Sequence, residues 1–159
     1  MNSLMENKWS WVEGSNQLRD SLLDAVSDAD LAFSPGGQAM TLGALFREMG
    51  EIEHSYAESF RSFKQTSFDY GSAEAGVENS VSGLKAWFQK LDGELKAALT
   101  AFSNEDLSKT IERGSGYAMP VELQLDVYLQ ALLIFLGKAS IYVRAMNKPL
   151  PQAVQEWIG

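Results

Sequence analysis

The sequence predicts an all-α fold, a four-helix bundle with short extra helical turns. Three observations lead there. Apolar residues recur at spacings of three and four along separate stretches, helix-starting residues stand where those stretches begin, and no stretch sustains the apolar–polar alternation of a strand. A chain of 159 residues suits one domain spanning 1–159, whose single core can bury roughly 68–70% of the surface the unfolded chain exposes.

The first helix is marked by a weak stripe, Trp11, Leu18, Leu22 and Ala25, within which Gly14 lowers helix propensity by about 1 kcal/mol against Ala. The second carries Leu42, Leu45, Met49, Ile52, Tyr56, Phe60 and Phe63, with Thr41 placed as its cap. The third carries Leu84, Trp87, Leu91, Leu95, Ala98 and Phe102 behind Ser80 or Ser82. The fourth starts at Pro120, a residue suited to the first helical position. From Leu123 to Val143 this fourth helix is apolar on every side, interrupted by Gln124, Asp126, Gln130, Lys138 and Ser140. An all-round apolar helix needs cover on all sides, which predicts a homodimer formed through the fourth helix.

Between the long helices a faint repeat appears. Ser27-Asp-Ala-Asp-Leu31 and Ser103-Asn-Glu-Asp-Leu107 each offer Ser as a cap with Asp three residues later, the pattern of a short helical turn. Each leads through a Gly-containing loop, Ser34–Gly37 or Gly114–Gly116, into the next helix, so two units of similar plan would pack with pseudo-symmetry. The longest connection, from about Gln65 to Asn79, reads as a surface crossover pinned by Phe68 and Tyr70, or as a lid.

Composition excludes several function classes. A net charge of −8 argues against nucleic acid, whose phosphates are bound by neutralising them, and against an anionic membrane surface. The absence of cysteine removes disulfides, thiolate metal sites and a Cys nucleophile. The first nine residues lack a signal-peptide pattern, and the Ala131–Gly137 run is too short for a membrane span, so a cytoplasmic address is expected. No phosphate-binding glycine loop or nucleophile elbow is present.

Polar residues concentrate on the second helix: Arg47, Glu48, Glu51, Glu53, His54, Glu58, Arg61 and Lys64. Arg47 with Glu51 and His54 with Glu58 stand four apart, the spacing of a solvated face laced with ion pairs. His54, the single histidine, reads as a surface charge. Glu48 differs, because it adjoins the stripe residues Leu45, Met49 and Ile52 and can point to the core edge. A carboxylate there must be paired, hydrogen-bonded or protonated, and such groups are candidate site residues.

Leu42-Gly-Ala-Leu-Phe-Arg-Glu48 resembles the second-helix pattern Leu-Gly-x-Leu-x-x-His of the DinB/YfiT-like family, with Glu48 in place of the histidine. Phe135-Leu-Gly-Lys138 and Tyr142-Val-Arg144 resemble that family's His-Arg-Gly-Gln and Tyr-Leu-Arg elements, so Phe135 and Ala131 take its other two histidine positions. Ser27–Leu31, Pro35-Gly-Gly37 and Lys148-Pro-Leu-Pro151 also match its plan. The resemblance implies a four-helix bundle, frequent dimers, and in metal-bearing relatives a divalent ion used for thiol transfer or hydrolysis. Three protein ligands are needed for a catalytic zinc, and one carboxylate beside Ala and Phe does not supply them. Glu51, Glu122, Asp126 and Gln130 are the remaining oxygen donors.

The expectation is therefore a bundle without metal, cofactor or assigned catalytic residue. It keeps a small-molecule cavity at Glu48, Ile52, Tyr128, Ala131 and Phe135, or serves as an interaction module. The rival is a metal-dependent thiol transferase or hydrolase using Glu48. A third reading has no pocket, the fourth helix serving only the dimer.

Overall fold

The computed structural model describes residues 2–65 and 71–158. Four long helices dominate it: α1 (Ser3–Asp24), α2 (Leu42–Ser62), α3 (Val81–Thr100) and α4 (Val121–Ala145), followed by a short α5 (Gln152–Ile158). α1 packs on α3 and α4, and α2 packs on the same two, which makes a closed ring of four. Their directions follow from residues that meet. Phe46 lies against Phe135 and Tyr56 against Tyr128, so α2 and α4 are antiparallel. Phe46 also meets Phe88 and Phe60 meets Phe102, so α2 and α3 run parallel. Glu13 pairs with Lys96 and Asp24 with Lys85, which sets α1 against α3. The bundle is up-down-down-up, and the Gln65–Asn79 connection is its long crossover. Phe68 and Tyr70, expected to pin that crossover, lie outside the described residues.

The expected all-α bundle and its caps are present. Thr41 and Ser80 accept hydrogen bonds from Ala44 and Gly83 in the first turns of α2 and α3. Pro120 is the capping residue of α4, one position ahead of its expected place. Both Ser-x-x-Asp segments close as short 3-10 turns, Asp28–Ala32 and Asp106–Ser108, with Asp30 and Asp106 reaching back to Ser27 and Ser103.

Three features depart from expectation. An antiparallel ribbon joins β1 (Thr110–Glu112) to β2 (Ala118–Pro120) across a turn in which Gly114, Ser115 and Gly116 all have positive φ. Three residues per strand are too few to show alternation, and only Ile111 and Met119 point inward. Trp11 is exposed rather than part of the buried stripe of α1, which runs through Met5, Val12, Asn16, Arg19 and Leu23. On α2 the polar face is not simply solvated. Glu51 and Glu53 are buried, Arg47 pairs with Glu78, and His54 lies nearest Glu94.

α4 is long and apolar enough to cross a membrane by length and composition. Its apolar content is not all buried, and Leu133 is exposed beside a cleft. Leu125, Tyr128, Leu132, Phe135, Leu136, Ala139 and Val143 are buried in the bundle. Leu123, Ile134 and Ile141 point outward.

Two glycines fix how closely the crossover and α3 approach α2. A Cβ on Gly43 would stand 2.0 Å from the Glu78 carbonyl oxygen, and one on Gly50 would stand 2.3 Å from the Trp87 ring. Gly43→Ala therefore forces backbone apart and should cost about 1–3 kcal/mol. On Gly93 of α3 a Cβ meets nothing, so Gly93→Ala should gain about 1 kcal/mol of helix propensity. Urea unfolding of the two variants measures both, and equal midpoints would contradict the packing described.

Candidate functional site

The most highly organised polar assembly lies inside the bundle, with one residue from each long helix: Arg19, Glu53, Asp92 and Tyr128. Arg19 is fully buried, a charged residue set into the stripe Val12–Asn16–Arg19–Leu23. Its guanidinium has five N–H donors, and all five are used. Nε and Nη2 donate to Asp20 (3.1 and 2.9 Å), Nη1 and Nη2 donate to the two oxygens of Asp92 (3.0 and 2.9 Å), and Nη1 also reaches Glu53 Oε2 at 3.3 Å. Asn16 donates to the same Asp92 at 2.8 Å. Beneath this fork lies the Phe88 ring, 4.1 Å from Cζ, in cation–π geometry.

Three carboxylates surround one cation, and they are not equivalent. Asp20 and Asp92 reach solvent, whereas the Glu53 side chain is 0% exposed. Burial raises the Glu53 pKa well above its ordinary value, and the Asp92 charge raises it further, against the opposing pull of Arg19. Of the three carboxyls, Glu53 is the one whose surroundings most resist ionisation. Glu53 Oε1 and the nearby Tyr128 hydroxyl are buried with no hydrogen-bond partner in geometry among the described residues. Burial likewise lifts the Tyr128 phenol, with the Glu53 charge adding to it.

A second buried network fastens the ribbon to the bundle. Gln124 on α4 donates to Ser59 (2.9 Å) and Gln65 (2.7 Å), and its oxygen accepts from Arg113 at 3.0 Å. Glu51 accepts from the Ser72 hydroxyl and from the backbone N–H groups of Ser72 and Ala73, so it holds the far end of the crossover.

The five residues expected around a cavity are distributed as follows. Phe135 is buried and meets Phe46 with ring centroids 5.1 Å apart. Tyr128 is fully buried and lies 5.3 Å from Tyr56. Ile52 and Ala131 are half-buried, and Ile52 packs on the core. Glu48 is half-buried near Tyr142, whose phenol is raised by burial and by the Glu48 charge. Tyr142 itself donates to the Met40 carbonyl at 2.9 Å. A cleft of about 580 Å³ opens elsewhere, between α1, α4 and α5, and none of the five lines it.

The ion implied by the family resemblance would need donors at positions 48, 131 and 135. Ala131 and Phe135 carry none, so the three-ligand set does not fit these side chains. Among the described residues no group of three or more His, Asp or Glu has a metal-holding arrangement. Sequence reasoning passed over Arg19 and set Glu53 on a solvated face. The signal was a charged residue at a stripe position, four from Leu23 in one helix and four from Met49 in the other.

The raised Glu53 pKa has a consequence for stability. Unfolded, its carboxyl releases the proton near 4.3; folded, it keeps the proton to higher pH. Its contribution is therefore fully present below the unfolded value and is lost as pH rises through the raised folded one, at up to ~1.4 kcal/mol per pH unit. Glu53→Gln, which keeps the shape without the proton, should raise the melting temperature at pH 8 and flatten its decline from acid to alkaline pH. A variant with an unchanged slope would place the pH dependence in another group.

No protein-family model matches this sequence, and no curated protein matches it. Solved structures do. The crystal structure of a DinB-like protein, YjoA, from Bacillus subtilis superposes with a TM-score of 0.73 at 16% identity, covering 96% of this chain and 98% of that one. A DinB-like protein from Bacillus cereus gives 0.71 at 14% identity, covering 90% and 92%. At these identities the shared property is architecture, and the fold of this chain is the DinB-like bundle.

Proposed function

We propose that this chain is a DinB-type bundle that serves binding rather than metal chemistry, acting as an interaction module that pairs with a second copy of itself along α4. One observation carries the reading, the outward face of α4. Leu123, Ile134 and Ile141 lie exposed on that face, with Gln130, Gly137 and the half-buried, core-packed Val127 completing alternating spacings of four and three. That spacing is the seam of paired helices. Ile134 is 60% and Ile141 64% exposed, an unusual placement for isoleucines opposite a full core.

The chemistry at the family's ion-binding positions favours the same reading. Ala131 and Phe135 leave Glu48 without co-ligands, while the acids of the central cluster are committed to Arg19. A cytoplasmic address and a partner other than nucleic acid or an anionic membrane surface belong to this reading, and the net charge of −8 supports the latter.

Sedimentation at micromolar concentration should give a dimer, and the double variant Ile134→Glu, Ile141→Glu should give a folded monomer. A monomeric parent chain would defeat the proposal. Metal analysis of protein purified without chelator separates the rival. One divalent ion per chain would favour a thiol transferase or hydrolase using Glu48.

A further inference from the structure

We propose that the cleft between α1, α4 and α5 is a binding site for an uncharged, ring-bearing apolar small molecule. This goes beyond pairing along α4 and does not depend on it. Trp11 and Trp157 meet edge to face at the cleft, with centroids 6.1 Å apart, and Leu18, Leu129 and Leu133 supply aliphatic wall. Its other lining residues are Gly14, three serines, Gln17 and Ala153.

Three features select the occupant. The first is charge. In a chain with 21% charged residues, none of the eleven that line this cleft is ionisable. A ligand with a formal charge would lose solvation there without gaining a partner. The second is size, since about 580 Å³ falls within the range that takes one small organic molecule. The third is the floor. Gly14 sits in the middle of α1, where glycine weakens a helix, and a Cβ there would meet nothing within 4 Å. The glycine therefore serves no close packing inside the chain, and the space a side chain would take there belongs to the cleft.

A second copy is a poorer occupant. The outward ridge of α4 carries Lys138 beside its isoleucines, and the cleft has no carboxylate to receive it. Leu133 faces the cleft while Ile134, about 100° further round the helix, faces outward, so the two surfaces are separate. Exposed indoles, with the exposed Ser10 and Gln17 beside them, suit a flat ring that bears at most a neutral polar group.

The test uses the purified full chain and N-phenylnaphthylamine, an uncharged ring probe that brightens in apolar surroundings. Saturable binding at one probe per chain is expected. Its sulfonated analogue, anilinonaphthalene sulfonate, should bind at least about tenfold more weakly because its charge finds no partner. Gly14→Leu projects a side chain into the free space and should keep the fold while lowering probe affinity by about tenfold or more. Should that variant fail to fold, Trp157→Ala removes an exposed wall residue outside the core, and the same loss is expected. The proposal is overturned by no saturable binding, by equal binding of the sulfonate, or by parental affinity in a folded Gly14→Leu or Trp157→Ala. A dimer that Gly14→Leu converts to monomer would assign the cleft to a second copy and overturn it as well. Loss of pairing in the Ile134, Ile141 double variant leaves this result untouched.

Discussion

The Arg19 guanidinium is the constraint around which the bundle is arranged. A buried cation is tolerable only when its charge and every N–H are met, and here α1, α2 and α3 all contribute acceptors while Phe88 closes the face below. Apolar stripes alone leave four helices free to slide by a turn at modest cost. With this cluster, a slip of α3 removes Asp92, and a slip of α2 strands Glu53. The cluster is weak grounds for high stability, since well-packed hydrophobes of equal volume often do as well. What it constrains is register, because each acceptor reaches Arg19 only where its helix now stands, and burial disfavours a negative charge on Glu53.

Binding surfaces in this chain lie outside that centre. The α2–α4 interface, where the resemblance would set an ion, is filled at two levels by aromatic pairs: Phe46 with Phe135 and Tyr56 with Tyr128. α4 thus has three environments around its circumference: core rings on one side, the cleft beside Leu133, and the outward ridge of Ile134 and Ile141. Its even hydrophobicity in sequence hides this division.

Much of the fold was legible because it rests on short-range rules. Leu84 to Phe102 fall every three or four residues, and all six are buried. Thr41, Ser80, Ser27 and Ser103 cap what they precede, since a cap is a local hydrogen bond. The interior polar cluster was not legible, because Arg19, Glu53 and Asp92 meet only through packing of helices far apart in sequence. Glu51 shows the same limit. Its three bonds go to Ser72 and Ala73, 21 and 22 residues away, and nothing local distinguishes it from a solvated glutamate. The ribbon was missed because three-residue strands carry too little pattern. Of the candidate site, the sequence pointed to α2 and α4, but the cleft depends on α5 folding back beside α1, a contact between the two ends of the chain that no local pattern announces.

The parallel course of α2 and α3 sets a minimum reach for the chain that joins them. α2 has 21 residues and, at 1.5 Å per residue, is about 31 Å long. Because α3 starts beside the start of α2, the connection must travel back over that whole length. An extended chain covers roughly 3.3–3.6 Å per residue, so at least about nine residues are needed. Shortened below that span, the connection could join only antiparallel neighbours, and the second half of the chain would have to thread the other way round.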